Sequence, residues 1–397
     1  MPTIHILLAV IRPAQIALLT TIVCSVLPYR AWPQDAGKEG RLAYVEKSTK
    51  KVCQLTGEQD RQIGQPTLSH TQSSAGVVAT DLGSSFEHRG KLFFLFGDTW
   101  GKPGARDAMA WTESSDPEKI ALTFLSGADG KWAPLAVPGI KQGAFEVPSY
   151  GVSLDGKMYV VCTTDHTEQK TMGRSVLAVS HDDGKTFRQV YDLSADKFIN
   201  VALWKVEPWL YIFGSGDYRK SSVCLARVEL GIVERRDALR FFRGMSPDGV
   251  PRWSEKERDA VVLFQHDVVG ELSVAYCEPV NRYVMLYNSS QPRGIVMRSA
   301  KQPWGPWSEP EIIFNPRRDN AFGQFMHVAD GTGPNADRLS DANRENVTGG
   351  AYGPYLMSRY TTGEAGSCRI YYTMSTWNPY QVVIMQSDLR LALAESK

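Results

Sequence analysis

The sequence predicts an all-β protein, a five-bladed β-propeller, and three observations predict it. One pattern of apolar runs with polar ends occurs five times: 91-KLFFLFGDTW-100, 157-KMYVVCTTDH-166, 209-WLYIFGSGDYR-219, 282-RYVMLYNSSQ-291 and 369-RIYYTMSTWN-378. Each run is rich in β-branched and aromatic residues and too short for a helix. Each copy also has a strand-like piece before it and another after it, at a spacing suited to propeller blades. A β-sandwich has many strands but no reason to repeat one three-part pattern five times.

Taken in order, the leading pieces are 77-VVATDLGSSFEHRG-90, 148-PSYGVSLDG-156, 200-NVALWKVEP-208, 270-GELSVAYCEPVN-281 and 351-AYGPYLMSRYTTGEAG-366. They place blade starts near 77, 148, 200, 270 and 351. The trailing pieces are 108-AMAWTESSD-116, 175-SVLAVSHDD-183, 222-SVCLARVEL-230, 294-GIVMRSAKQPWGPW-307 and 381-QVVIMQSDL-389. In the first of the five central runs, Gly97-Asp98 reads as turn chemistry that stops the strand. The second copy continues as 180-SHDDGKTF-187, which resembles the Asp-box turn of sialidase-like propellers. Asp182 and Asp183 are therefore expected to be folding devices. The stretches 231–269 and 308–350 read as insertions, the second a long polar loop of the kind that lines sites.

The bulk numbers exclude several classes. The chain has 397 residues, 43% hydrophobic and 22% charged, with a net charge of +1. That balance suits one large globular domain, residues 41–397, and gives no footprint for nucleic acid. The uncharged segment 14-AQIALLTTIVCSVL-27 has the length of a signal-peptide core and is short for a membrane span, so residues 1–32 read as a leader and the protein as secreted or associated with the cell envelope. An uncleaved anchor is the competing reading. The six cysteines are widely spaced, and three lie in strand-like runs as small apolar side chains. No Cys or His spacing suggests zinc, and no metal or other cofactor is expected.

In a propeller, the first strand of every blade lines the axis and the second packs behind it. Polar residues at the start of first strands and the end of second strands then gather on one face. Mapped so, the rim collects Asp81, Asp98 and Trp100 from blade one, and Ser149, Tyr150, Asp165 and His166 from blade two. Blade three adds Asn200, Asp217, Tyr218 and Arg219; blade four Glu271 and Asn288; blade five Tyr352, Trp377 and Asn378. Acids and aromatic rings in a funnel suit a carbohydrate. Hydrolysing a glycosidic bond takes one carboxylic acid to protonate the leaving oxygen and one carboxylate to activate water or attack carbon. Asp81 and Glu271 are the expected pair, with Asp98 tuning them and Arg219 gripping a carboxylate or sugar hydroxyl. Trp100, Tyr150, Asp165, His166, Asp217, Asn288, Trp377 and Asn378 are the expected substrate contacts. Several have a plainer alternative: Asp81 and Asp98 as turn-formers, Asp217 paired with Arg219, and one of Asp165 and His166 structural because neighbours on a strand face opposite ways.

Six ordered motifs then carry a resemblance. Thr-Asp-Leu-Gly (80–83), Leu-Phe-Gly-Asp-Thr (95–99), Gly-Ser-Gly-x-Tyr-Arg (214–219), Gly-Glu-Leu-Ser-Val (270–274), Pro-Trp-Gly-Pro-Trp (303–307) and Ser-Thr-Trp-Asn-Pro-Tyr (375–380) resemble the bacterial family known as domain of unknown function 4185. The likeness covers about residues 50–390. That family looks like a relative of the five-bladed glycoside hydrolases of arabinanase, invertase and levansucrase type, and some members are identified as endo-acting D-arabinanases. The resemblance implies secretion, a glycan substrate and catalytic carboxylates near Asp81, Asp98 and Glu271. The expected function is thus hydrolysis of a furanose-containing or cell-envelope polysaccharide by a monomer, with polysaccharide or oligosaccharide as partner. The alternative is a non-catalytic glycan-binding propeller; a protein-binding propeller is a third, weaker reading.

Overall fold

A computed structural model describes residues 40–392, apart from 103, 105 and 330–336. The expected leader, residues 1–32, lies outside the described residues, as does its cleavage. Five antiparallel sheets carry nearly all the regular structure. Blade one is Val77–His88, Lys91–Gly101, Arg106–Thr112 and Thr123–Phe124. Blade two is Pro148–Leu154, Lys157–Thr164, Arg174–Ser180 and Arg188–Ser194. Blade three starts with Asn200–Val206, Trp209–Ser215 and Cys224–Glu229. Blade four is Val269–Cys277, Arg282–Ser290, Arg293–Ala300 and Glu311–Phe314. Blade five runs Tyr352–Leu356, Ser367–Ser375 and Val382–Leu391.

The first strands touch in a closed cycle: blade one meets two, two meets three, three meets four, four meets five, and five meets one. The fold is therefore a five-bladed propeller, with blades that start within a residue of the expected positions. Side-chain hydroxyls stitch inner strands together across blades. Ser375 Oγ accepts from the Leu82 amide at 2.8 Å, Thr373 Oγ1 donates to Gly83 O at 3.0 Å, and Ser273 Oγ donates to Pro354 O at 2.6 Å. These groups are buried, so each satisfied pair avoids the cost of an orphaned polar atom. Apolar faces of adjacent sheets fill the space between blades; Phe94, Phe96, Phe213 and Tyr287 are wholly enclosed.

Three features depart from the sequence reading. The stretch 231–269 is more than an insertion: it supplies two further strands of blade three, Arg240–Met245 and Pro251–Ser254. The segment 308–350 likewise begins with the outer strand of blade four. The third is closure. Leu42–Tyr44 and Lys50–Gln54 both pair with the last strand, Leu42 opposite Leu391 and Gln54 opposite Val383, so residues near both ends of the described chain complete blade five. Such a pairing spans more than three hundred residues and leaves no local pattern to read.

The Asp-box works as a brace. Asp182 accepts from the Thr186 amide (2.9 Å) and hydroxyl (2.7 Å), which hold its carboxyl at about 2. Asp183 reaches the neighbouring blade, where it meets His88 Nε2 at 2.9 Å.

Candidate active site

Breaks in strand pairing lie at each of the three expected catalytic carboxylates. The register between the first two strands of blade one shifts between Ala79 and Asp81 and again between Leu82 and Ser84. The second and third strands shift between Phe96 and Thr99, around Asp98. In blade four the shift falls between Val269 and Leu272, around Glu271. A bulge inserts an unpaired residue and re-aims its side chain: Asp98 and Glu271 fall in unpaired steps, while Asp81 stays opposite Gly97 between two shifts. Leu82 (φ 65°) and Asp98 (φ 39°) adopt left-handed backbone, which is strained for such residues. Gly97-Asp98 is thus not a stop: the strand continues to Gly101 with a kink inside it. A side chain at Gly97 would strike Val147 and Leu82, and one at Gly270 would strike Asn288.

The acids line one cavity of about 1760 Å³. Asp81 is buried; its Oδ2 accepts from Tyr352 Oη at 2.8 Å, while no hydrogen bond reaches its Oδ1 among the described residues. Burial, and then the charge of Asp98, push this carboxyl up to about 8, against the opposing influence of the Tyr352 and Tyr380 hydroxyls. Burial raises Asp98 to about 6, although the Phe145 amide donates to it. Glu271 is buried too and takes both nitrogens of a fork from Arg219, Nη2 to Oε1 at 2.8 Å and Nε to Oε2 at 3.2 Å. The Arg219 guanidinium lies over the rings of Tyr218 (4.7 Å) and Tyr352 (5.2 Å). The site therefore sets a buried carboxyl that keeps its proton at neutral pH in the same cavity as a carboxyl held at two points by a guanidinium.

Other expected positions divide. Trp100, Asn288 and Trp377 line the cavity with Arg219; Trp100 and Trp377 are 56% and 44% exposed. Tyr150 is in the core beside Tyr355, with ring centroids 6.2 Å apart. Asp165 faces Arg174 (2.7 Å), and His166 holds a turn, its Nδ1 2.8 Å from Thr171 O and its amide donating to Glu146. Asp217 is exposed, with its carbonyl accepting from Lys220 and Ser221; its expected pairing with Arg219 is replaced by the Arg219–Glu271 fork. Asn378 is buried. Its Nδ2 donates to the carbonyls of Arg344 (2.9 Å) and Val347 (2.6 Å), and its Oδ1 accepts from the Asp341 amide. None of these five residues lines the cavity.

The sequence reading missed Asp107, Phe145, Arg344 and Tyr380, all of which line the cavity. Asp107 is held well above the usual carboxylate range, chiefly by burial, and Gln142 Nε2 donates to it at 2.9 Å. Its signal was an acid inside the apolar run Asp107-Ala-Met-Ala-Trp111. Arg344, on the loop, stacks at 4.4 Å over Trp377. A loop without periodicity gives no warning of such a contact. Among the described residues, no group of three or more His, Cys, Asp or Glu is placed to hold a metal.

Residues 67–386 match the family described as domain of unknown function (DUF4185). The chain belongs to this family. It is also 27% identical over 291 residues to the Notoamide biosynthesis cluster protein J of Aspergillus sp. (strain MF297-2), covering 64% of this chain and 76% of that protein. Among solved structures, a protein of Bacteroides ovatus ATCC 8483 proposed to be a hydrolase superposes with a TM-score of 0.53 at 12% identity, over 80% of this chain and 87% of the other. An exo-beta-1,3-galactanase of Phanerochaete chrysosporium, solved with beta-1,3-galactotriose, gives a TM-score of 0.46 at 7% identity, over 86% and 64%. The likeness to the Bacteroides ovatus protein is one of fold.

Proposed function

We propose that this DUF4185 protein is a glycoside hydrolase that acts outside the cytoplasm on a furanose-containing or cell-envelope polysaccharide, in the manner of an endo-D-arabinanase. The observation that carries the reading is the contrast between its two buried carboxyls: Asp81 raised to about 8 with a free Oδ1, and Glu271 clasped by Arg219, both facing one cavity. One carboxyl raised by burial and one clasped by a cation suit different roles, acid for Asp81 and base for Glu271. Asp81 then gives its proton from Oδ1 to the glycosidic oxygen as the bond to the anomeric carbon breaks. Glu271 takes a proton from the incoming water. Both Glu271 oxygens are already hydrogen-bonded, which weakens direct attack on carbon and favours the water route with inversion. Trp100 and Trp377 offer ring faces for sugars at the cavity mouth.

The test is turnover of D-arabinan, L-arabinan, fructan and xylan, with product analysis and NMR of the first-formed anomer. Asp81→Asn and Glu271→Gln are each expected to lower turnover by at least ~10²–10⁴-fold, with binding kept. The wild-type rate should fall as pH rises through about 8, where Asp81 loses its proton. Binding without turnover on every glycan would favour the non-catalytic glycan-binding propeller; near-wild-type rates in both variants would remove the pair.

A further inference from the structure

The cavity does not end at the carboxylates. It runs outward over blade four, where its lining changes character. Arg293 opens the third strand of that blade and Arg317 follows its outer strand; both are exposed and both line the cavity. One side chain sets their positions. Asn315 Nδ2 donates to Arg293 O at 2.8 Å, and Asn315 Oδ1 accepts from the Arg317 amide at 3.0 Å. The two backbones are drawn close enough that a Cβ on Gly294 would lie 2.4 Å from Phe314 O.

The contrast with the other cations of the cavity is informative. Three of them are paired, Arg219 with Glu271 and both Arg61 and Arg344 with Asp341. Neither Arg293 nor Arg317 has an ion pair or side-chain hydrogen bond among the described residues. Neighbouring Arg318 is neutralised by Asp319 at 2.9 Å, so the free charge is confined to the pair that faces the cavity. The acids of the lining lie elsewhere: Asp81, Asp98 and Asp107 on blade one, Glu58 on the N-terminal segment, Asp341 on the loop, and Glu271 under Arg219. This end therefore has two unopposed guanidinium groups beside the neutral donors Asn288, Ser290 and Asn315.

We propose that this arm is a subsite for an oxyanion on the glycan, so that the substrate is an acidic polysaccharide bearing carboxylate or phosphate on a sugar near the cleaved bond. Guanidinium forks match either group at two points. The substrate class rests on the hydrolase reading, whereas the binding preference does not. The experiment measures binding and turnover with three matched oligosaccharide sets: neutral, uronate-bearing and phosphorylated. Wild type is compared with the double variant Arg293→Ala/Arg317→Ala at low and high salt. Two exposed pairs predict about 3- to 30-fold tighter binding of one acidic set over the neutral set. That advantage should vanish in the double variant and shrink at high salt. Which acidic set gains identifies the oxyanion. Equal affinity for all three sets, or an advantage that survives the double variant, overturns the subsite. Turnover of neutral glycan alone would do so while leaving the hydrolase intact. Acid-selective binding without turnover would keep the subsite and defeat the hydrolase, and no binding of any set defeats both.

Discussion

At the scale of single residues, Asp81 shows how a site is made at the expense of stability. An unfolded carboxyl releases its proton near pH 4, whereas the folded one holds it to about 8. Between those values the folded state binds more protons than the unfolded state, so stability falls as pH climbs through the window and the loss is complete above it. Asp81→Asn removes the charge and keeps the shape. The variant should be more stable than wild type by about 2–4 kcal/mol at pH 8–9, with the difference closing below pH 4. Urea denaturation across pH reads this directly, and a variant less stable than wild type at pH 9 would contradict it. Asp81, Asp98 and Glu271 were legible in the sequence because acids beside strands have few packing uses. Their neighbours were less so. Tyr150 and Asn378 have the residue type of sugar contacts but point into the body, and side-chain direction near a bulge cannot be counted along the chain.

At the scale of elements, the strands were readable from their apolar runs, while the irregularities that make the site were not. A bulge changes no composition; it appears only as a register shift, as at Asp98 and Glu271. The loop before blade five gives a second case. Asn378 binds it at Asp341, Arg344 and Val347, and the same loop brings Asp341 and Arg344 to the cavity. Asn378→Ala leaves those backbone groups without their partner, at about 1–3 kcal/mol for each that stays dry. The expected outcome is faster proteolytic cleavage within 341–347 and glycan affinity weakened several-fold, with the global unfolding midpoint shifted less. Hydrogen exchange that rises evenly across all blades, and not in this loop, would count against the tether.

At the scale of the whole molecule, the wheel is held shut by pairing of Leu42–Tyr44 and Lys50–Gln54 with Val382–Leu391. A chain begun at residue 56 exposes the edge of the last strand, whose inner residues Val382, Ile384 and Met385 are now enclosed, and unpaired edges invite association. Such a truncation should lower the urea midpoint strongly and form oligomers by light scattering; an unchanged midpoint would mean that the remaining strands of blade five suffice. The same closure sets a schedule for synthesis. Gln54, Gly57, Glu58, Gln59 and Arg61 form one wall of the cavity and lead directly out of the closing strand. They leave the ribosome early, but the closing strand that leads into them has no partner until the strand ending at Leu391 has followed. A nascent or prematurely terminated chain therefore carries its acids without the wall that faces them, and only a finished product closes the cavity.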